Sequence, residues 1–461
     1  MIKNIIKLHS FRALTFLLLG FSLSGCGKDY LEEKPDKSYV IPKTITDFQQ
    51  LLDNFRFFVQ ALTPATNQQS VDDLLITDAG LRNFSERDRA SYLWDKDLQT
   101  NGTDWGNPYR QVFYCNVVLD GLKEISPMPS EQYQYNQVKG SALFLRSQAF
   151  YNLSQSFTVP YDPASAGTAP GVPLPLTSDI NKRYPRGLLK DTYERILADM
   201  NESLKYLPER SSNISRPSKL AAYAFLARIY LSMQEYALAK ANADQVLGSY
   251  GDLLDYNSLN LAAARAMPIA LSAGNTEIIY YSLMLNTSFN VSTLVYVEPE
   301  LYATYHNDDL RKSAFFINRS GLMGFRGSYS GESFAFTGLA VDEMLLIRAE
   351  CLAREGNAAL AITDLNALLV KRFATGKFIP AAAANAEEAL KIVLLERRKE
   401  LIGRAMRWSD LRRLNKDPRF AKTLKRTFDG RNYELPPNDP RYVLPIPLEE
   451  VMYHDIAQNP R

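Results

Sequence analysis

The sequence predicts a mainly α-helical protein, in which paired helices form a repeat scaffold interrupted by long irregular loop insertions and a few short strands. The helical pairing is carried by Tyr223, Leu226, Ala227, Tyr230, Tyr236, Ala239, Ala243 and Val246. These residues fall at the offsets of a tetratricopeptide unit, a helical hairpin of about 34 residues. Leu345, Ala349, Leu352, Ala358, Ala361, Leu365 and Leu368 repeat the pattern, less one Leu. Small residues at such places let paired helices approach closely, and each pair needs a neighbour to cover its apolar side. The insertions are marked by two stretches, 63–104 and 255–336, where helical periodicity fades while aromatic and polar residues persist. A third observation is the run from Glu396 to Arg413, with Leu390, Leu394, Leu401, Ala405, Trp408 and Leu411 recurring at helical spacing. This predicts one amphipathic helix, started by Asn385 with Glu388 as a capping box and braced by a Glu400 to Arg404 ion pair.

The chain opens with Lys3, Lys7 and Arg12 ahead of an apolar run from Ala13 to Leu23, too short to span a bilayer. It reads as a signal peptide over 1–25. Leu23-Ser24-Gly25-Cys26 resembles a bacterial lipobox, whose cleavage leaves Cys26 as an acylated first residue. Three acyl chains anchor a protein firmly, since each buried methylene adds about 0.8 kcal/mol. Residues 26–44 are polar and read as a tether, placing the protein at a membrane through lipid alone.

A first region spans 45–250. Phe48, Leu51, Leu52, Phe55 and Phe58 predict a helix over 45–59, with Thr44 or Thr46 near its cap. Residues 63–104 hold Asp72, Asp73, Asp78, Arg82, Tyr92 and Trp94 without sustained period. Pro108 then opens a helix that reaches Leu122, and a second helix runs over 131–157. Prolines from 160 to 185 exclude regular structure there, and helix returns over 192–207. The two helices flanking this segment are expected to form a further pair. Residues 251–340 form an irregular region with β-like runs at 277–285 and 291–297. The last region, 341–461, begins with the second repeat helix.

Composition excludes several functions. Net charge is +2, and beyond the leader basic and acidic residues nearly cancel, so no nucleic-acid-binding stripe is present. Of three His, only His306 and His454 lie beyond the leader, too few for His-based metal sites or His-activated nucleophiles. No phosphate-cradling or hydrolase motif occurs. Two carboxylates suffice for glycoside hydrolysis, which composition leaves formally open. The prediction is nevertheless a binding protein with no catalytic residue, metal or cofactor. Cys115 and Cys351 lack any paired spacing and read as small buried hydrophobes.

The order E-R-R-x-E-L-x-G-x-x-x-R-W-x-D-L-x-R over Glu396 to Arg413 resembles the C-terminal signature of the SusD/RagB family. These are outer-membrane lipoproteins for nutrient uptake in Bacteroidetes-type bacteria. Tyr442 to Pro447 and the closing Gln458-Asn459-Pro460 are similar to that family's terminus. Gly403-Arg404 departs from it, since the family often has an acidic residue followed by Gly. The resemblance implies a surface-exposed protein of the outer membrane that captures a nutrient in its loops. It also implies a SusC-like TonB-dependent barrel as partner, and no covalent chemistry. Sugars present apolar C–H faces edged by hydroxyls, so flat rings beside planar polar groups match them. On that chemistry Tyr92, Trp94, Asp73, Arg82, Tyr296 and Tyr329 are the candidate ligand residues. A peptide could use the same groups, and a helical-repeat adaptor gripping another protein is a further alternative. Trp105, Trp408 and the Asp309–Arg311 pair read as structural.

Overall fold

The structure, a computed structural model, describes residues 42–100, 102–272 and 274–461. The expected signal peptide, Cys26 and most of the tether lie outside these residues. Residues Thr44–Arg461 form one unit. Its first helix, α1 (Ile45–Leu52), starts at Thr44, which accepts from the Asp47 amide while the Asp47 carboxylate accepts from that of Thr44. The predicted continuation to Val59 is interrupted, because the Asn54 side chain accepts from the Phe57 amide and begins a new turn. A π-helical turn, Arg56–Gln60, then brings Phe58 and Val59 into the core.

The scaffold consists of α2 (Gly102–Lys123), α3 (Gln132–Phe157), α4 (Leu189–Ser203), α5 (Lys219–Ser232), α6 (Tyr236–Leu247), α7 (Val341–Arg354), α8 (Ala358–Leu369) and α9 (Ala386–Glu400). Pro108 sits inside α2 rather than opening it. Helices pack in sequence order, α2 on α3, α3 on α4, α5 on α6, α6 on α7 and α7 on α8, while α9 covers α7 and α8. The expected pairing of α3 with α4 across the proline segment is present. Ala227, Ala239, Ala243, Ala349 and Ala361 are fully buried, which is how the repeat helices approach so closely. Cys115 and Cys351 are free and buried, and burial pushes the Cys351 thiol up to about 12.

The proline segment is more regular than predicted. Within it β2 (Pro170–Pro173) pairs antiparallel with β3 (Arg186–Leu188). The prolines take the ends of β2, where a missing N–H costs least.

The two irregular regions meet in one sheet. It comprises β1 (Leu74–Leu75), β5 (Tyr296–Val297), β7 (Leu322–Phe325) and β6 (Phe316–Arg319), antiparallel and in that order. Leu75 pairs with Tyr296, and Tyr296 with Gly324. A separate pair, β4 (Ile278–Tyr280) and β8 (Leu339–Ala340), leads into α7.

The predicted single helix over the signature is two helices. α9 ends at Glu400, α10 (Arg407–Leu414) begins after six intervening residues, and Gly403 and Ala405 among them have φ of +71° and +58°. The predicted Glu400–Arg404 pair is absent. Glu400 instead binds Arg311 and Arg372, and Arg404 binds Asp342. A local helical ion pair contributes only about 0.2–0.5 kcal/mol and gives way to these buried partners. After α10 comes the hairpin β9 (Leu424–Phe428) and β10 (Arg431–Leu435), closed by Asp429-Gly430 with both φ positive. The tail returns to the scaffold: Asn459 donates to the carbonyls of Phe157 and Leu444, and Arg461 to that of Asp95.

Candidate ligand cavity

The signature charges hold both insertions. Arg407 donates two bonds to Asp72, at 2.7 and 2.9 Å, and Arg398 Nε donates to Asp73 at 2.7 Å. Burial raises the pKa of both carboxylates. Arg407, Arg398 and Lys422 reverse this for Asp72, whose carboxyl is held well below the usual range, whereas Asp73 stays raised. On the other side, fully buried Arg311 donates to Asp309, Glu396 and Glu400, while Arg372 bridges Glu400 to Glu277. The predicted structural role of Asp309 and Arg311 is borne out by this burial. One turn thus fixes segments from more than 300 residues earlier in the chain to others close beside it.

Above that turn lies a cavity of about 230 Å³. Its floor includes Ile402, Gly403 and Arg404, and its walls come from β1, β6, β7 and the segments 290–295 and 326–335. Apolar area is supplied by Leu74, Val295, Phe315 and Phe325; polar groups by Gln68, Asn290, Ser292, Ser328 and Ser333. Arg265, Arg319 and Arg326 complete it. Asn290 Nδ2 and Arg404 Nη2 are buried without a hydrogen-bond partner among the described residues. Such donors are costly when unpaired and are satisfied by a bound polar molecule or water. A second groove, about 710 Å³, lies between the proline segment and the C-terminal tail, but its Asp162 and Lys416 already pair with each other.

The predicted ligand residues are distributed unevenly around the cavity. Tyr92 and Trp94, expected to present rings to a sugar, are 3% and 2% exposed. Arg426 from β9 stacks 3.5 Å from the Tyr92 ring centroid and 4.4 Å from that of Trp94. The Tyr92 hydroxyl receives the Ile76 amide, and Trp94 Nε1 donates to the Ser70 carbonyl. Neither ring has a free face, so this expectation is corrected: both are packing residues. Asp73 is equally interior, committed to Arg398. Tyr329 does line the cavity, but it is 5% exposed, its ring lies under Arg404 and its hydroxyl donates to Glu277. Arg82 is exposed and pairs with Asp429 at the hairpin tip. Tyr296 is half-buried in β5, at the junction of the two insertions. Sequence reasoning missed Arg265, Arg319, Arg326 and Asn290. Their only sequence signal was Arg recurring in a segment poor in acids.

Trp105 and Trp408 are packing residues as expected. Trp105 stacks edge-on against Phe157, and Trp408 lies 4.8 Å from Tyr442. Among the described residues, no helix is long and apolar enough to cross a membrane.

Comparison with known proteins agrees with this architecture. Residues 29–231 match a SusD-like family described as starch-binding and associating with the outer membrane, and residues 341–461 match the SusD family. The intervening segment carries most of the cavity wall. A SusD-like protein P2 from Formosa agariphila is 23% identical over 249 residues, covering 51% of this chain and 46% of that protein, so the match spans less than half of the relative. A SusD superfamily structure from Bacteroides vulgatus superposes with a TM-score of 0.73 at 21% identity, covering 91% of this chain and 99% of that one. A laminarin-binding SusD-like protein gives a TM-score of 0.62 at 19% identity, covering 90% and 97%. With the signature, the helical-repeat scaffold and both family matches in agreement, the chain belongs to the SusD/RagB family.

Proposed function

We propose that this protein is a surface-exposed lipoprotein of the outer membrane, anchored through acylated Cys26, that captures an oligosaccharide and delivers it to a TonB-dependent SusC-like barrel. In this reading residues 1–25 are removed, 26–44 form the tether, 45–250 and 341–461 form the scaffold, and 251–340 supplies the ligand loops. The observation that carries it is the meeting of the two insertions in one sheet beside a polar cavity. That cavity has apolar wall area for a sugar's C–H face and amide and hydroxyl groups for its edge. The starch- and laminarin-binding descriptions of its relatives support a glycan over a peptide. Capture requires no bond to be made or broken, so the protein acts as a binding component rather than an enzyme.

The test is calorimetric titration of the detergent-extracted chain against a panel of oligosaccharides and a peptide digest. Saturable heat from a glycan class is expected. Heat from peptides alone would move the reading to peptide uptake, and turnover of a glycan would make the protein an enzyme. Co-purification with a SusC-like barrel tests the partnership.

A further inference from the structure

We infer that the cavity selects an acidic oligosaccharide, one bearing carboxylate or sulfate groups, with Arg265, Arg319 and Arg326 as the residues that recognise the charge. This rests on the proposed glycan-binding role and narrows it.

The charge balance at the cavity is one-sided. Arg319 donates to the carbonyls of Thr293 and Phe325, and Arg326 to those of Ser313 and Ala263. Carbonyls orient a guanidinium without neutralising it. Among the described residues neither side chain has a carboxylate partner, and Arg326 Nε is buried with no acceptor. Arg265 is exposed, has no hydrogen-bond or ion-pair partner among the described residues, and runs its aliphatic stem over Gly327. Among the described residues the one carboxylate that reaches the wall, Glu400, is saturated by Arg311 and Arg372. Arg404 in the floor is paired with Asp342. Glu332, on the same loop as Tyr329, lies against Tyr281.

The layer behind the floor does not cancel the excess. There Arg311, Arg372, Arg404 and Lys399 face Asp309, Glu277, Asp342, Glu396 and Glu400, close to balance. Three guanidiniums therefore remain uncompensated around a small cleft with low-dielectric walls, which concentrates an attractive potential for anions. Guanidinium forks bind carboxylate and sulfate oxygens through paired N–H groups, and Lys would do so less specifically. The serine hydroxyls and the Asn290 amide on the same wall suit a polyhydroxylated ring better than a peptide side chain.

The experiment uses the full chain in detergent with four probes: a neutral β-glucan oligosaccharide, an oligouronate, a sulfated oligosaccharide and an oligoglutamate. Saturable binding of the oligouronate or the sulfated sugar is expected, weakening as salt rises, and the two arms distinguish carboxylate from sulfate. Arg265→Gln should weaken that binding by about tenfold or more, while Arg265→Lys recovers part of it. Arg265 is exposed, so both variants should keep the wild-type melting temperature. Binding of the neutral sugar alone, or acidic-sugar binding unchanged in Arg265→Gln, would overturn this inference and leave the glycan-binding role standing. Binding of the oligoglutamate alone, or of none of the four, would overturn both.

Discussion

Replacing Arg311 by Met tests whether the signature turn is held by charge. The guanidinium is fully buried and donates to Asp309, Glu396 and Glu400 at 2.7–2.9 Å. Met approximates its stem, so little cavity is created, and the loss is concentrated in carboxylates left buried. Glu400 retains Arg372 and Glu396 retains Lys399, but Asp309 keeps only Lys399 at 3.6 Å. Breaking one partner out of a buried cluster costs about 3–5 kcal/mol. Urea denaturation is the suitable assay because urea does not screen ion pairs, and buried Trp94, Trp105 and Trp408 report unfolding by fluorescence. The deficit should also depend on pH. In the wild type, burial raises the Asp309 pKa but Arg311 and Lys399 bring it below the usual value. A depressed folded pKa contributes its full stabilisation above the unfolded value of about 3.9, so the contribution of this group to the wild type is constant between pH 7 and 5. In the variant, burial dominates, Asp309 takes up a proton more readily, and the deficit narrows as pH falls to 5. The exposed Arg82–Asp429 pair serves as contrast, since Arg82→Ala should cost less than about 1 kcal/mol. A deficit for Arg311→Met below about 1 kcal/mol, or one that is flat with pH, would refute the clamp.

Four further outcomes are expected. Ala405→Gly should raise the melting temperature, by up to about 1 kcal/mol of stability, because φ of +58° strains an L-residue; a fall would contradict this. Burial pushes Glu277 up to about 7 despite Arg372, so the folded state binds more protons than the unfolded between about pH 4.3 and 7. Stability therefore falls as pH rises through that window, and Glu277→Gln should flatten the slope in thermal melts; an unchanged slope rejects the assignment. Trp94→Ala should destabilise by about 3–5 kcal/mol, whereas Tyr296→Ala should stay folded and bind glycan more weakly; a stable Trp94→Ala protein that loses ligand would reverse the placement of that ring. Cys26→Ala should move the protein from membrane to soluble fractions, and retention in membranes would rule out the lipid anchor.

The scaffold was legible because its determinants are local. Alanines at repeat offsets and the Thr44 cap each specify structure within a few residues. The break at Leu401–Met406 was not, since the apolar period continues through it unaltered. Gly403 and Ala405 in left-handed conformations, with Arg404 between them held by Asp342 of α7, produce the turn. The placement of Tyr92 and Trp94 in the candidate site failed for a similar reason. Tyr92 and Trp94 sit among residues typical of exposed loops, yet Arg426 buries them from a hairpin more than 300 positions away. Solvent exposure of a ring in an insertion is a tertiary property. The cationic cavity was equally hidden, because whether an Arg is neutralised depends on which acid the fold brings near it.

The placement of the clamp late in the chain bears on the order in which the protein is built. Asp72, Asp73, Arg311 and Arg372 are all synthesised before the Arg398, Arg407 and Glu400 that complete their ion pairs. Until then Asp72 and Asp73 lack their arginine partners, and Arg311 and Arg372 have only Asp309 and Glu277, so both insertions resist collapsing onto the helices prematurely. The helical pairs, whose contacts are near in sequence, are free to form first. Arrival of the signature then converts solvated loops into a closed surface in one late step, and the ligand cavity comes into being only with that step.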